Sequence, residues 1–155
     1  MTTVLDTDVL SELRLPNPDA SVHDWISAQP PGDLAIASFS IAEIEFGIAK
    51  LLARGRHAAE LEAWLNAIVA TQRVLPLDAS GARIFGRLLA IPALQNRVAV
   101  PPHARKPRFA GDLAIAATAV AHQALVATRN LADFRLIAQH CHGLAGVDPW
   151  TGQTF

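Results

Sequence analysis

Short apolar runs alternate with longer helical patterns along this chain, and this alternation constrains its fold more than any other feature. Runs such as Leu34 to Ser38 and Leu125 to Ala127 have the length of buried strands, and segments whose apolar residues recur with helical spacing follow them. Strands and helices that alternate in this way are typical of a mainly parallel sheet covered by helices. We therefore predict an α/β fold.

The predicted elements fill most of the 155 residues. The predicted strands are Thr2 to Leu5, Leu34 to Ser38, Leu125 to Ala127 and Gly146 to Val147, with Val74 and Leu75 as a short extended link. The predicted helices are Val9 to Arg14, Ala20 to Ala28, Ile41 to Ala53, His57 to Thr71, Asp78 or Ser80 to Leu89, Leu113 to Ala124 and Leu131 to His140. Prolines and basic side chains between Arg97 and Arg108 predict a mobile basic loop. No repeat or linker divides the chain, so we expect residues 1–155 to form a single domain.

Composition excludes several classes of protein. Hydrophobic residues make up 51% of the chain, enough for a full core, and 13 basic against 14 acidic residues give a formal net charge of −1. Any contact with nucleic-acid phosphates must therefore be local. The single cysteine, Cys141, excludes an internal disulfide and suits the cytoplasm, and no run approaches the ~20 apolar residues of a membrane span. The segment His140-Cys141-His142 lacks the ligand spacing of a zinc site.

Four polar side chains lie where predicted strands end or predicted helices begin. Asp6 directly follows the first strand, and Asn130 follows the strand Leu125 to Ala127. Glu43 comes three residues after Ser40 in a capping-box pattern, and Asp112 lies in the predicted first turn of its helix. Because the carboxyl ends of parallel strands share one edge of a sheet, we expect these side chains to converge on one pocket.

Converging carboxylates need protons or a cation, since two of them ~4 Å apart repel by roughly 4 kcal/mol at an effective dielectric near 20. A hard divalent cation such as Mg²⁺ prefers oxygen ligands, acidifies bound water and offsets phosphoryl charge. The acids therefore suggest phosphodiester hydrolysis. Each also has a structural explanation: the helix dipole favours Glu43 and Asp112, and either Asp6 or Asp8 suits the N-cap of the following helix.

Four segments resemble the motifs of PIN-domain proteins, in the same order along the chain. They are Val4 to Leu13, Ser38 to Gly47, Gly111 to Ala119 and Leu125 to Phe134. The length of the chain and the residues of these motifs are most similar to those of the VapC toxins of type II toxin–antitoxin systems, particularly the FitB-like branch. The resemblance implies a PIN-like three-layer α/β/α sandwich with a mainly parallel central sheet. It also implies an endoribonuclease dependent on Mg²⁺ or Mn²⁺, a homodimer, and a small VapB-like antitoxin whose tail enters the active-site groove.

The resemblance also implies roles for individual residues. Asp6 and Asp112 occupy the family's metal-ligand positions, and Glu43 occupies the second acidic position, which helps to hold metal or orient water. The fourth catalytic position often carries Asp, whereas this chain has Asn130, whose carbonyl oxygen can hold a metal-bound water without adding charge. Asp133 is the next acid. The sequence leaves open whether Asn130 or Asp133 completes the site, and whether one metal or two bind.

Two other functions are compatible with parts of the pattern. Asp6 after an apolar strand also suits the aspartyl nucleophile of a haloacid-dehalogenase-like phosphatase. That family requires a downstream lysine, and neither Lys50 nor Lys106 has the expected context. The uncharged Asn130 instead suits a catalytically degenerate module that binds RNA or protein.

Overall fold

The computed structural model describes residues 1–30, 32–98 and 108–155. Its elements are, in order, β1 (Thr3–Leu5), α1 (Thr7–Leu13), α2 (Ala20–Ser27), β2 (Leu34–Ala37), α3 (Ser38–Leu52), α4 (Ala59–Thr71), β3 (Arg73–Leu75), α5 (Ala79–Leu89), α6 (Pro92–Val98), α7 (Arg108–Ala121), β4 (Leu125–Ala127), α8 (Leu131–Ala138) and β5 (Gly146–Val147). The predicted strands are confirmed to within one residue. The extended link at Val74 and Leu75 is part of a strand, β3.

A parallel sheet with β1 at its centre organises the described residues. The strand order is β3-β2-β1-β4-β5, and all four neighbouring pairs run parallel. The chain moves outward from β1 to β3 and then returns to place β4 on the other side of β1. Such a reversal opens a crevice at the carboxyl ends of the two strands where it occurs, here β1 and β4. The prediction of a mainly parallel sheet is confirmed.

Helices cover both faces of this sheet because successive strand residues point to opposite sides. Val4 packs in one core with Leu113 of α7 and Phe134 of α8. Leu5, the next residue, packs in a second core with Ile44 of α3. The result is the expected three-layer α/β/α arrangement.

The predicted start of α3 and its capping box are wrong. The helix begins at Ser38, so Ser40 is its third residue and Glu43 lies in its second turn. The Ser40 hydroxyl is buried and has no hydrogen-bond partner among the described residues. The Ser38 hydroxyl instead accepts a hydrogen bond from the Leu77 backbone N–H at 3.1 Å. This long-range contact ties the helix start to the segment before α5, and no local sequence pattern carries it.

Two boundaries around the predicted basic loop also differ from expectation. The helix α6 was not predicted, because Pro92 was interpreted as a helix end although proline also suits the first helical position. The helix α7 begins at Arg108 rather than near Leu113, which places Asp112 in its second turn rather than its first. The remainder of the predicted loop, residues 99–107, lies outside the described residues.

None of the described helices combines the length and the apolar character needed to cross a bilayer.

The last strand requires a glycine at position 146, because a Cβ there would press against the Val126 carbonyl oxygen and the Phe155 ring. Gly146→Ala should therefore lower the free energy of unfolding by about 1–3 kcal/mol through overpacking. Gly86→Ala is the matched control, since a methyl group there has open space and should stabilise helix α5 by about 0.5–1 kcal/mol. Urea unfolding of both variants measures the difference, and equal stabilities would contradict the prediction.

Candidate active site

Asp6 lies at the end of β1 and is held by neighbouring residues on both sides. Its side chain is buried, with Oδ1 accepting the Thr7 backbone N–H at 2.7 Å and Oδ2 accepting the Thr128 hydroxyl at 2.7 Å. Thr7 begins α1, so Asp6 is the N-cap of that helix, while Thr128 directly follows β4. The capping and functional-site interpretations of Asp6 are therefore compatible.

Asn130 lies between two carboxylates at the end of β4. Its side-chain nitrogen donates hydrogen bonds to Asp112 Oδ2 at 3.0 Å and to Asp133 Oδ2 at 2.8 Å. Its backbone N–H donates to the Thr128 hydroxyl oxygen at 2.9 Å. The amide nitrogen of Asn130 thus contacts the acids, whereas the sequence suggested a role for its carbonyl oxygen. The side chain links Asp112 and Asp133 without adding negative charge.

Glu43 reaches the same region from α3. Its Oε2 accepts the Thr7 hydroxyl at 2.6 Å, and its carboxylate lies against Gly111 of α7. The Glu43 side chain of α3 therefore contacts both α1 and α7. Although Glu43 and Asp112 each lie a turn later in their helices than expected, both remain in the cavity wall.

A cavity of about 850 Å³ opens over these groups. The polar part of its wall includes all four predicted site residues together with three further acids and one basic residue: Asp6, Asp8, Glu12, Arg14, Glu43, Asp112, Asn130 and Asp133. The α3 and α4 side is apolar and includes Phe39, Phe46, Leu61 and Trp64. The structure therefore brings the predicted residues together, and their catalytic and metal-binding roles stay predictions.

Burial and crowding raise the pKa values of the acids in this cavity. Burial is the largest cause for Asp6, and the nearby charges of Asp8 and Asp112 raise its pKa further, well above the usual value of 3.8. Burial likewise raises the pKa of Asp112, to about 7, with contributions from the charges of Asp133, Glu43 and Asp8. The hydrogen bonds from Thr128 to Asp6 and from Asn130 to Asp112 oppose these shifts without outweighing them. Asp6 and Asp112 therefore hold protons at pH values where ordinary aspartates are ionised.

The oxygen donors fit a hard divalent cation with few protein ligands. No set of three His, Cys, Asp or Glu side chains within the described ranges has the arrangement of a metal site. Mg²⁺, however, is commonly bound through one or two carboxylates and keeps several waters. Asp6 and Asp112 are two such carboxylates on the wall of one cavity, and the charge of Asp112 raises the pKa of Asp6. The pair therefore suits a hydrated magnesium-like ion.

No sequence pattern predicted a functional role for four residues that lie beside the acids: Thr7, Asp8, Gly111 and Thr128. Thr128 had a recognisable signal, because it directly follows a predicted strand as Asp6 does, and the structure makes the two residues neighbours by pairing Leu5 with Ala127. Asp8 was expected only as a candidate helix cap, yet it lines the cavity and its Oδ2 accepts the Arg129 backbone N–H at 2.9 Å. The contacts of Thr7 and Gly111 with Glu43 had no sequence signal.

The raised pKa of Asp112 predicts a pH dependence of stability in the metal-free protein. Between about 4 and about 7 the folded protein holds a proton on Asp112 that the unfolded chain has lost, so the free energy of unfolding should fall as pH rises through this window. Asp112→Asn should reduce that dependence, whereas the exposed Asp24→Asn should not. Urea unfolding in the presence of a chelator at several pH values measures the slopes; parallel slopes for all three proteins would refute the assignment.

Comparisons with known proteins agree with this fold. The PIN domain family matches residues 3–139. The VapC ribonuclease Y4jK of Sinorhizobium fredii is 35% identical over 95% of this chain and 96% of its own length, and the toxin FitB of Neisseria gonorrhoeae is 33% identical over 95% and 97%. The crystal structure of FitAcB from Neisseria gonorrhoeae superposes with a TM-score of 0.69 at 26% identity, covering 97% of this chain and 99% of that one. The chain therefore belongs to the PIN domain family.

Proposed function

We propose that this chain is a metal-dependent endoribonuclease and the toxin of a type II toxin–antitoxin system. The observation that carries the proposal is the convergence of Asp6, Glu43 and Asp112 on one cavity at the carboxyl edge of the sheet. Relatives named as a VapC ribonuclease and as the toxin FitB support the same activity. The proposal includes a cytoplasmic location and a single PIN domain spanning residues 1–155.

Asp6 and Asp112 would hold Mg²⁺, or Mn²⁺ in its place. When bound, the ion supplies positive charge next to the phosphoryl oxygen and lowers the pKa of a coordinated water. Thr128 orients Asp6 through its hydroxyl, and the Asn130 amide fixes the direction of Asp112. These donors are uncharged, so they orient the two carboxylates without neutralising them.

Glu43 reaches the cavity from α3, where its carboxylate positions the attacking water and its negative charge helps to hold the ion. Thr7 holds one oxygen of its carboxylate, and the other oxygen can accept a hydrogen bond from that water. The water oxygen bonds to phosphorus in line with the P–O3′ bond, which breaks; the water gives up one proton to solvent, and the leaving O3′ takes up one proton from solvent. The products are a 5′-phosphate and a 3′-hydroxyl, as the resemblance to the family implies.

The proposed partners follow from the shape of the cavity and from the relatives. RNA would enter over the acids, and the tail of a VapB-like antitoxin would lie along the groove beside Phe46 and Trp64. Phe46 is 49% exposed, so this wall has apolar surface available for such a chain. The similar crystal structure is that of FitAcB. By analogy, we propose that this chain binds an antitoxin and that it forms a homodimer.

No observation favours the phosphatase alternative. The ammonium group of Lys50 lies 5.2 Å from the centre of the Phe46 ring, and Lys50 is not part of the described cavity wall. Lys106 lies outside the described residues. The binding-module alternative rests on the uncharged Asn130, and metal titration distinguishes it from the nuclease.

Removing either proposed metal ligand should abolish RNA cleavage. Asp6→Asn and Asp112→Asn keep the side-chain volume but take away the charge that would hold the ion, so the purified, antitoxin-free variants should cleave RNA no faster than the buffer alone. Asp24→Asn, on the exposed face of α2, is the control and should keep full activity. A gel assay with labelled RNA and Mg²⁺ or Mn²⁺ measures cleavage. Undiminished cleavage by either cavity variant would exclude the proposed mechanism.

Metal binding should release protons near neutral pH, because Asp112 has a pKa of about 7 and must ionise to bind a cation. Isothermal titration calorimetry with Mn²⁺ in buffers of different ionisation enthalpy measures the number of protons released. Asp112→Asn should bind more weakly and release fewer protons. A protein that folds but gives no binding heat in any buffer would instead support the non-catalytic binding module.

A further inference from the structure

We infer that Thr7 and Gly111 are positioning residues for the Glu43 carboxylate: Thr7 holds one oxygen, and Gly111 leaves the space that the other occupies. The inference rests on the proposed function for the importance of Glu43. It concerns two residues that need not contact metal or RNA themselves. Their effect on the reaction would act through Glu43 alone.

Thr7 joins two of the cavity acids at the start of α1. Its backbone N–H donates to Asp6 Oδ1 at 2.7 Å, while its hydroxyl donates to Glu43 Oε2 at 2.6 Å. A hydroxyl donating to a carboxylate at this distance is a short, charge-assisted hydrogen bond. Thr7 therefore fixes the position of Glu43 relative to Asp6.

Gly111 is a buried residue inside α7, directly before Asp112. Its φ angle is not among the positive glycine values of the described chain, so the backbone does not require glycine there. Glycine is even unfavourable in a helix compared with alanine. A Cβ at this position would lie 2.8 Å from Glu43 Cδ and closer still to Oε1. The space beside Gly111 is therefore already filled by the Glu43 carboxylate.

The atoms that would meet this Cβ identify what an alanine would change. All three nearest atoms belong to the Glu43 carboxyl group, and none belongs to the backbone. The carboxyl group is the end of a flexible side chain, so rotation of Glu43 relieves the contact while both helices stay in place. Gly111→Ala should therefore leave the fold intact and move the functional carboxylate. If Gly111 were needed only for the packing of α3 against α7, Gly111→Ala would destabilise the fold and leave the Glu43 carboxylate in place.

A double-mutant cycle between positions 111 and 43 tests this directly. In the unmodified background, Gly111→Ala should lower the Mn²⁺ affinity by about tenfold, within the range found when supporting residues of metal sites are replaced. In the Glu43→Ala background, which has no carboxylate to displace, the same change should alter the affinity by less than about twofold. Gly86→Ala, an exposed helical glycine with open space, is the control and should bind Mn²⁺ normally.

Thr7 is tested by the pair Thr7→Val and Thr7→Ser. Valine keeps the branched shape without the hydroxyl and should lower the Mn²⁺ affinity as Gly111→Ala does, whereas serine keeps the hydroxyl and should restore it. Neither the loss nor the rescue is expected if Thr7 only packs against α3. A Thr7→Val variant with unmodified affinity would overturn the assignment of Thr7.

Unfolding in urea with a chelator provides a readout that does not depend on metal. Gly111→Ala should raise the urea midpoint in the Glu43→Ala background, as Gly86→Ala does in the unmodified chain, and should raise it less when Glu43 is present. Equal effects in both backgrounds, on midpoint and on affinity, would overturn the assignment of Gly111. If the unmodified chain neither binds Mn²⁺ nor cleaves RNA, the proposed function fails, while the midpoints still decide whether Gly111 and Glu43 are coupled.

Discussion

The parallel pairing of β1 with β4 is the constraint on which the rest of the site depends. Leu5 pairs with Ala127, and the Asp6 backbone N–H donates to the Ala127 carbonyl oxygen at 2.9 Å. The next side chains on the two strands are therefore neighbours, and the Thr128 hydroxyl reaches the Asp6 carboxylate. Because the chain reverses its direction across the sheet between these strands, a crevice opens at their carboxyl ends, and the acids line the cavity there.

The hydrogen bonds to the buried carboxylates come from neutral groups. Thr7 and Thr128 donate to Asp6, and Asn130 donates to Asp112. Hydrogen bonds of this kind favour the ionised acid, but burial and the neighbouring negative charges outweigh them and leave the pKa values raised. The site is thus oriented but not neutralised. A divalent cation would relieve the repulsion between these carboxylates. Buried acids that are unfavourable for folding can therefore serve the proposed reaction.

The sequence was sufficient to predict the sheet and the acids but not the contacts between them. Glu43 and Asp112 reached the predicted cavity although both helix starts were misplaced, because extending a helix toward its N-terminus does not rotate the face on which a residue lies. Thr7 and Glu43, by contrast, are 36 residues apart, and their hydrogen bond depends on how α1 and α3 pack. Gly111 had no sequence signal either, since the predicted helix began only at Leu113, whereas the helix in the structure begins at Arg108 and contains this glycine.

The positions of Thr7 and Gly111 in the chain explain why one glutamate can be placed accurately by so few contacts. Thr7 is adjacent to Asp6, and Gly111 is adjacent to Asp112. Each proposed metal ligand therefore has a direct neighbour that contacts Glu43. Any shift of α1 or α7 moves a ligand and a contact of Glu43 together, so the relative positions of the three carboxylates change less than the positions of the helices. Geometry of this kind can be kept within the narrow tolerance that in-line attack requires.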